Sequence, residues 1–238
     1  MRLRRSIVLC ALVVLGVSVA AGTMPARASQ GPPRGNQIVG TITADILRAP
    51  DQRTESPLGN TLADAQLAAT QAAGAQIALV SPTSIGADLL FASSRDHEGD
   101  GVVTYREARA VQPARDQLVT LTLTGAQIKE LLEQQFTDTG VRLLLSPSAT
   151  LHYTYSASAP AGSKVTNLTI NGVAVDPAAT YRVTVTRSLA AGAEGFTVLL
   201  GGTEAVLGST PLEALVGYLT ANSPVPPAGP LNRITVLP

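Results

Sequence analysis

Cysteine is almost missing from this sequence, and histidine and large aromatic rings are scarce. The single cysteine, Cys10, lies inside an N-terminal apolar run. It lacks the small residues before it that a lipid-attachment box needs. Once that run is removed, no thiol remains, which excludes disulfides, thiolate catalysis and cysteine metal sites. The two histidines, His97 and His152, are far apart and have no metal-ligand spacing. There is no tryptophan, and only three Phe and five Tyr. Sites that stack bases or sugars need such rings, so few can be built here.

Charge of either sign is also sparse. Lys and Arg number 17, as do Asp and Glu. Residues 1–28 read as a secretory signal: Arg2, Arg4 and Arg5 form a basic start, Ile7 to Ala21 an apolar core, and Ala26-Arg27-Ala28 a small-x-small cleavage site. Cleavage after Ala20, or retention as an uncleaved anchor, are the alternatives. Cleavage after Ala28 removes four arginines and no acid, leaving 13 basic and 17 acidic residues and a formal charge of −4. A mildly acidic surface predicts neither nucleic acid nor, after cleavage, a membrane as partner. The expected location is secreted, extracytoplasmic. The remaining ~210 residues suffice for an ordinary core.

Residues 29–38 are rich in Gly and Pro and read as a flexible lead-in, followed by a single domain over 39–238. Gln37 to Ile46 reads as an entering strand. Ser56-Pro57 predicts a helix start, with a capping side chain and proline at the first helical position, and Gly74 its end. Val102 to Tyr105 reads as a short strand, and Arg106 to Val111 as a short helix stopped by Pro113. Leu118 to Leu123 alternates, with Val119, Leu121 and Leu123 on one face and Thr120 and Thr122 on the other. Thr124 and Gln127 form a capping box before the stripe Ile128, Leu131, Leu132 and Phe136. Strands are expected at Val141–Leu145, Leu151–Tyr155, Val165–Ile170, Val173–Val175, Tyr181–Thr186, Phe196–Leu200 and Arg233–Leu237. Asn171-Gly172 predicts a type I′ hairpin turn. Thr210-Pro211-Leu212-Glu213 opens a last helix. The sum is an α/β domain of the α+β type: a mixed β-sheet flanked by helices, without strict βαβ alternation.

The chain is organised around Gln76 to Asp88. Ile77 to Val80 reads as a buried strand running into a tight polar loop, Ser81 to Gly86. In α/β sheets, ligands usually sit on the loop leaving a strand's carboxyl end. This loop carries no His, no Cys and no charge before Asp88, a poor basis for catalysis.

Several segments together resemble the C-terminal domain of the 5′-nucleotidase family. They are Glu55-Ser-Pro-Leu-Gly-Asn-Thr-Leu-Ala-Asp-Ala65, Gly101-Val-Val-Thr-Tyr105, Ala110-Val-Gln-Pro113, Gln117-Leu-Val-Thr-Leu-Thr-Leu-Thr-Gly125, Asp176-Pro-Ala-Ala-Thr-Tyr-Arg-Val-Thr-Val185 and Glu194-Gly-Phe196. They occur in family order and span nearly all of the mature chain. The resemblance implies that domain's fold and an origin in nucleotide hydrolysis. In that family a separate metallophosphatase domain holds two metals and hydrolyses the substrate. The C-terminal domain grips the nucleoside with arginines, an Asn, an Asp at the ribose and two Phe around the base.

The positions that match those contacts are altered. The loop Asn-x-Gly-Gly-Ile-Arg falls on Ser81 to Gly86, so Ser81 replaces the Asn and Gly86 the Arg, with its planar donor fork. One stacking ring falls on Ala114, beside Arg115 and its guanidinium plane, and the other on Ser188. Glu194 replaces the Asp. No residue set here matches a two-metal centre. The resemblance thus implies a retained frame around a degraded nucleoside pocket. His152 is read as a half-buried sheet residue.

Asp96 to Glu107 also matches the spacing of a calcium-binding EF-hand loop. Asp96, Glu98, Asp100, Val102 (through its carbonyl), Thr104 and Glu107 are the ligand positions, and Gly101 is at the turn. The alternative is an acidic solvated turn. No other cofactor is expected, and calcium here would be structural.

Three functions follow as expectations. The first is a secreted stand-alone module that does not hydrolyse by itself. The second is a substrate-binding subunit for a separate metallophosphatase chain, with a nucleoside or nucleotide as ligand and Arg187 and Glu194 near the old pocket. The third is a structural or interaction protein of the cell exterior.

Overall fold

The computed structural model describes residues 35–93, 98–137 and 140–238. The expected signal, Asp96 and His97 lie outside them. The described residues belong to one compact unit. None of their helices is long and apolar enough to cross a membrane.

In chain order the strands are β1 (Ile38–Thr41), β2 (Ile77–Val80), β3 (Val102–Thr104), β4 (Leu118–Thr124), β5 (Phe136–Thr137), β6 (Gly140–Val141), β7 (Ser146–Pro147), β8 (Leu151–Ser156), β9 (Val165–Ile170), β10 (Val173–Ala174), β11 (Thr180–Thr186), β12 (Thr203–Leu207) and β13 (Ile234–Leu237). The helices are α1 (Pro57–Thr70), α2 (Tyr105–Val111), α3 (Gly125–Glu133), α4 (Arg187–Ala190) and α5 (Pro211–Asn222). The fold is of the expected class, but the mixed sheet is double. One sheet has the order β12-β4-β11-β2-β7, the other β10-β9-β8-β13. β1 and β3 form a small antiparallel pair.

Helix starts follow the capping chemistry. Ser56 accepts the Gly59 amide at 3.1 Å, with Pro57 at the first position. Thr124–Gln127 and Thr210–Glu213 form complete capping boxes, as does Thr104–Glu107. Each satisfies main-chain amides that a helix start leaves unpaired. Asn171 and Gly172 both adopt positive φ, 52° and 75°, as a type I′ turn requires.

The alternation of β4 organises the core. Val119, Leu121 and Leu123 join Ile77, Leu79, Val183 and Val185 in one cluster, against α3 and the second sheet. Val80 joins a second cluster under α1, α2 and α5. The threonine face of β4 is only partly solvated, Thr122 being half-buried. Thr120 and Thr184 are fully buried, and a hydroxyl chain runs Thr120–Thr184–Thr70, ending on the Gln66 carbonyl at 2.7 Å. That chain satisfies the polar atoms that burial under a helix would otherwise orphan.

Two expected strands differ, and one strand was not expected. Phe196–Leu200 is a 3₁₀ turn over Thr197–Gly201. Phe196 and Leu199 are buried while Thr197 and Leu200 are exposed, a period of three rather than two. Val141–Leu145 is a strand only at Val141; Leu143, Leu144 and Leu145 are all buried. Their amides are satisfied by the Gln135 carbonyl, the Gln52 carbonyl and the Gln135 side chain. Thr203–Leu207, which carries no strand pattern in sequence, is the exposed edge strand β12.

Candidate functional site

Three loops meet at one end of the five-stranded sheet, and strand direction puts them there. β2 and β11 are parallel neighbours, so the loops leaving both emerge together. β4 is antiparallel to β11, with Leu118 opposite Thr186. The segment entering β4, residues 113–117, therefore arrives at the same end. This brings together Ser81 and Gly86, Ala114 and Arg115, and Ser188 and Glu194. Such a strand-end crevice is where α/β proteins bind ligands.

Within it, the polar groups are bonded to one another. After β2, Pro82–Ser84 forms a single 3₁₀ turn capped by Ser81. The Ser81 hydroxyl donates to Glu194 Oε2 at 2.6 Å, and the Thr83 hydroxyl to Oε1 at 2.5 Å. Glu194 is held for this by a left-handed backbone, φ 58°. Its carbonyl accepts Arg142 Nη1, and the Arg142 guanidinium lies 5.0 Å from the Phe196 ring centroid. The Glu194 carboxylate is thus turned onto its own fold.

Ser188 is engaged likewise. The Ser188 hydroxyl donates to Asp116 Oδ2 at 2.5 Å, and the Ser188 amide to the same oxygen at 3.1 Å. The Gln117 amide donates to Oδ1 at 2.8 Å. Partial burial pushes the Asp116 pKa up. The hydrogen bonds from Ser188, Gln117 and Thr186 outweigh it and hold the carboxyl below its ordinary value. The Ser188 hydroxyl is thus committed to this carboxylate.

Gly86 is enclosed as well. Its amide donates to the Val111 carbonyl at 2.9 Å. A Cβ built there would run into the Ala110 carbonyl and sit 3.0 Å from Pro113 Cγ. On its other side, Arg48 Nη1 donates to the Gly86 carbonyl at 2.9 Å, while Arg48 Nε lies 3.6 Å from Asp88. Arg48 borders a 360 Å³ cleft with Gln52, Pro82, Ile85 and Asp88. Arg115 and Arg187 are exposed at the same end of the sheet.

Arg48, Asp116 and Arg142 carry much of this arrangement, and none was singled out by sequence. Arg48 and Asp116 lie in polar loops and Arg142 in an apolar run, none with a distinctive spacing. Only the topology brings them to partners 38 to 72 residues away.

The calcium-loop residues have other partners. Glu107 Oε2 accepts the Thr104 amide and the Thr104 hydroxyl, both at 2.8 Å, as the capping box of α2. Asp100 Oδ1 accepts the Ser93 amide at 2.9 Å. Val102 pairs with Thr41 in the β1–β3 ladder. Glu98 is half-buried. Among the described residues no group of three or more His, Cys, Asp or Glu side chains is placed to hold a metal ion. These residues therefore do not fit the two-metal centre of the catalytic domain. His152 is half-buried in β8, opposite Thr169.

The comparisons agree with this frame. The family model for the 5′-nucleotidase C-terminal domain matches residues 38–201. The chain belongs to that family. The trifunctional nucleotide phosphoesterase protein YfkN of Bacillus subtilis is 34% identical over 172 residues, 68% of this chain and 11% of the relative. The cell wall protein Lmo0130 of Listeria monocytogenes is 29% identical over 171 residues, 68% of this chain and 21% of the relative. The crystal structure of a 5′-nucleotidase precursor from Thermus thermophilus superposes with a TM-score of 0.71 at 32% identity, covering 84% of this chain and 39% of that one. The NAD nucleotidase of Haemophilus influenzae, at 16% identity and TM-score 0.69, shares the fold. The chain therefore spans well under half the length of these relatives.

Proposed function

We propose that this chain is an extracytoplasmic member of the family that does not hydrolyse nucleotides with its own residues and acts as a non-catalytic module. One observation carries the reading. At the strand ends, Ser81 and Thr83 are bonded to Glu194, and Ser188 to Asp116. A nucleoside would have to break charge-assisted hydrogen bonds to reach these groups. The basic and apolar N-terminal residues, and a relative named as a cell wall protein, support the location. The test is phosphate release from AMP, ADP and UDP-glucose with Mn²⁺, Co²⁺ or Zn²⁺, beside a thermal-shift screen of nucleosides. Neither turnover nor a raised midpoint is expected, because a ligand specific for the native state must raise it. Robust turnover would overturn the reading.

The Arg48 cleft favours a second reading. There the chain presents a substrate to a metallophosphatase held in a separate chain. Guanidinium groups at Arg48, Arg115 and Arg187 would face an anionic substrate. Co-purification with a metallophosphatase, and loss of the pair's nucleotide turnover on Arg187→Ala, would support it over the first.

A further inference from the structure

We propose that the groove between α3 and the β9–β10 hairpin binds a small amphipathic amine, an apolar body with an ammonium at one end. The groove starts where β4 ends, at the opposite end of that strand from the three loops described above. Its volume is 580 Å³, within the range of small-molecule sites. Ala126, Val165, Leu168, Ala174, Val175 and Pro177 supply an apolar lining.

Both ends of α3 are fastened to the opposite wall, so the groove is preformed. At the start, the Gly125 amide donates to the Ala179 carbonyl at 2.9 Å and the Ala126 amide to the Pro177 carbonyl at 3.0 Å. No side chain fits at Gly125, because a Cβ would meet the Asp176 carbonyl. At the far end, Glu133 accepts the Val165 amide at 2.7 Å and the Lys164 amide at 3.2 Å. Within the β9 wall, Asn167 is held at φ 49° beside a register shift between His152 and Thr154. Left-handed backbone at a residue other than glycine is unfavourable and recurs where a site needs a fixed shape.

The sign of the ligand follows from which charges are positioned. Lys129, Glu130 and Glu133 line the groove. Glu133 is fixed by two main-chain amides and retains free lone pairs. Lys129 and Glu130 are both exposed, and the long Lys129 stem is free to turn its ammonium into water. The preorganised charge is therefore negative, with Glu130 one turn away to share an ammonium. Preorganised groups cost less to order on binding.

The test uses three probes of one shape: 4-phenylbutylamine, 4-phenylbutanol and 4-phenylbutyrate. Amide chemical shifts of the folded chain are followed during titration. The amine is expected to bind best and to move Ala126, Lys129, Leu168 and Ala174. Glu130→Gln should weaken the amine about three- to five-fold, as for a partly solvated ion pair, and leave the alcohol unchanged. Ala126→Phe, at an exposed helix position, should fill the groove and abolish binding of all three while leaving the circular dichroism unchanged. Added salt should weaken the amine alone. Equal binding of the butyrate, shifts elsewhere in the fold, or no shifts at all would each overturn the proposal.

Discussion

The hydroxyl of Ser81 lies 2.6 Å from Glu194, a residue 113 positions away, and so closes the loop after β2 onto the loop after β11. This bond joins two adjacent parallel strands at their carboxyl ends, the place where the fold would otherwise open a crevice. Two hydroxyls and one carboxylate satisfy each other there, and the glutamate's left-handed backbone shows that the fold holds it in place. The same logic recurs at Ser188 and Asp116. The strand-end surface is therefore bonded to itself rather than empty.

Removing the clamp should expose two separate costs. Glu194→Ala deletes two charge-assisted bonds and is expected to cost about 1–3 kcal/mol in urea unfolding. Glu194→Gly loses the same bonds but relieves the left-handed backbone, so it should be about 1 kcal/mol less destabilising than the alanine variant. If alanine and glycine prove equal, the positive φ is not holding strain. If both match the parent, the bonds do not stabilise the fold.

Asp116 predicts a pH dependence with a definite sign. Its folded pKa is lowered, because hydrogen bonds chiefly from Ser188 outweigh burial. A lowered folded pKa adds stability above the unfolded value, and this is lost as pH falls through the folded value. Ser188→Ala removes the bond that lowers it most. The parent should be the more stable by about 0.5 kcal/mol at neutral pH, a small figure because the carboxylate is largely solvated. The gap should close between about pH 5 and pH 2. A gap that is constant with pH would place the Ser188 contribution elsewhere.

Much of the frame was legible in the sequence, because its signals are local. Ser56-Pro57, Thr124–Gln127 and Thr210–Glu213 mark helix starts by chemistry within four residues, and the alternation of Val119, Leu121 and Leu123 marks a strand face. The misreadings have a common cause. Leu143 to Leu145 and Phe196 to Leu199 are short apolar runs; the first bonds to Gln52 and Gln135, the second three residues back in its own 3₁₀ turn, and sequence alone does not separate strand from turn in either. The resemblance named Ser81, Ser188 and Glu194, and the sheet order brings their loops to one end. Their partners were not legible, because Asp116 and Arg142 reach them only through the sheet order.

Placing a guanidinium at position 86 should fail. Gly86→Arg gives the residue that the resemblance implies there, but any Cβ meets the Ala110 carbonyl and Pro113. Backbone rather than a flexible side chain stands in the way, so about 1–3 kcal/mol of destabilisation is expected, as for overpacking. The variant's melting midpoint should not rise with AMP. If it did rise, and the variant were as stable as the parent, the loop would have to open more easily than its contacts suggest.

The C-terminal strand gives the largest expected effect. Arg233 is nearly buried and grips Asp64 with two nitrogens, at 2.9 and 2.7 Å, while also donating to the Pro147 carbonyl at 2.8 Å. Glu55 accepts the Arg233 and Ile234 amides, so β13 of the second sheet is sewn to α1 over the first. Asp64→Asn leaves a poorly solvated guanidinium without its counter-charge and should cost about 3 kcal/mol, the lower end for a buried pair because Asp64 retains some solvent. Removing both charges, Asp64→Leu with Arg233→Met, should be less costly than the sum of the single changes, because neither charge is then left alone. Urea unfolding of the four proteins measures the coupling. A coupling near zero would mean that the Arg233 bonds to the Asn60 carbonyl, at 3.3 Å, and to the Pro147 carbonyl, rather than the ion pair, hold β13 in place.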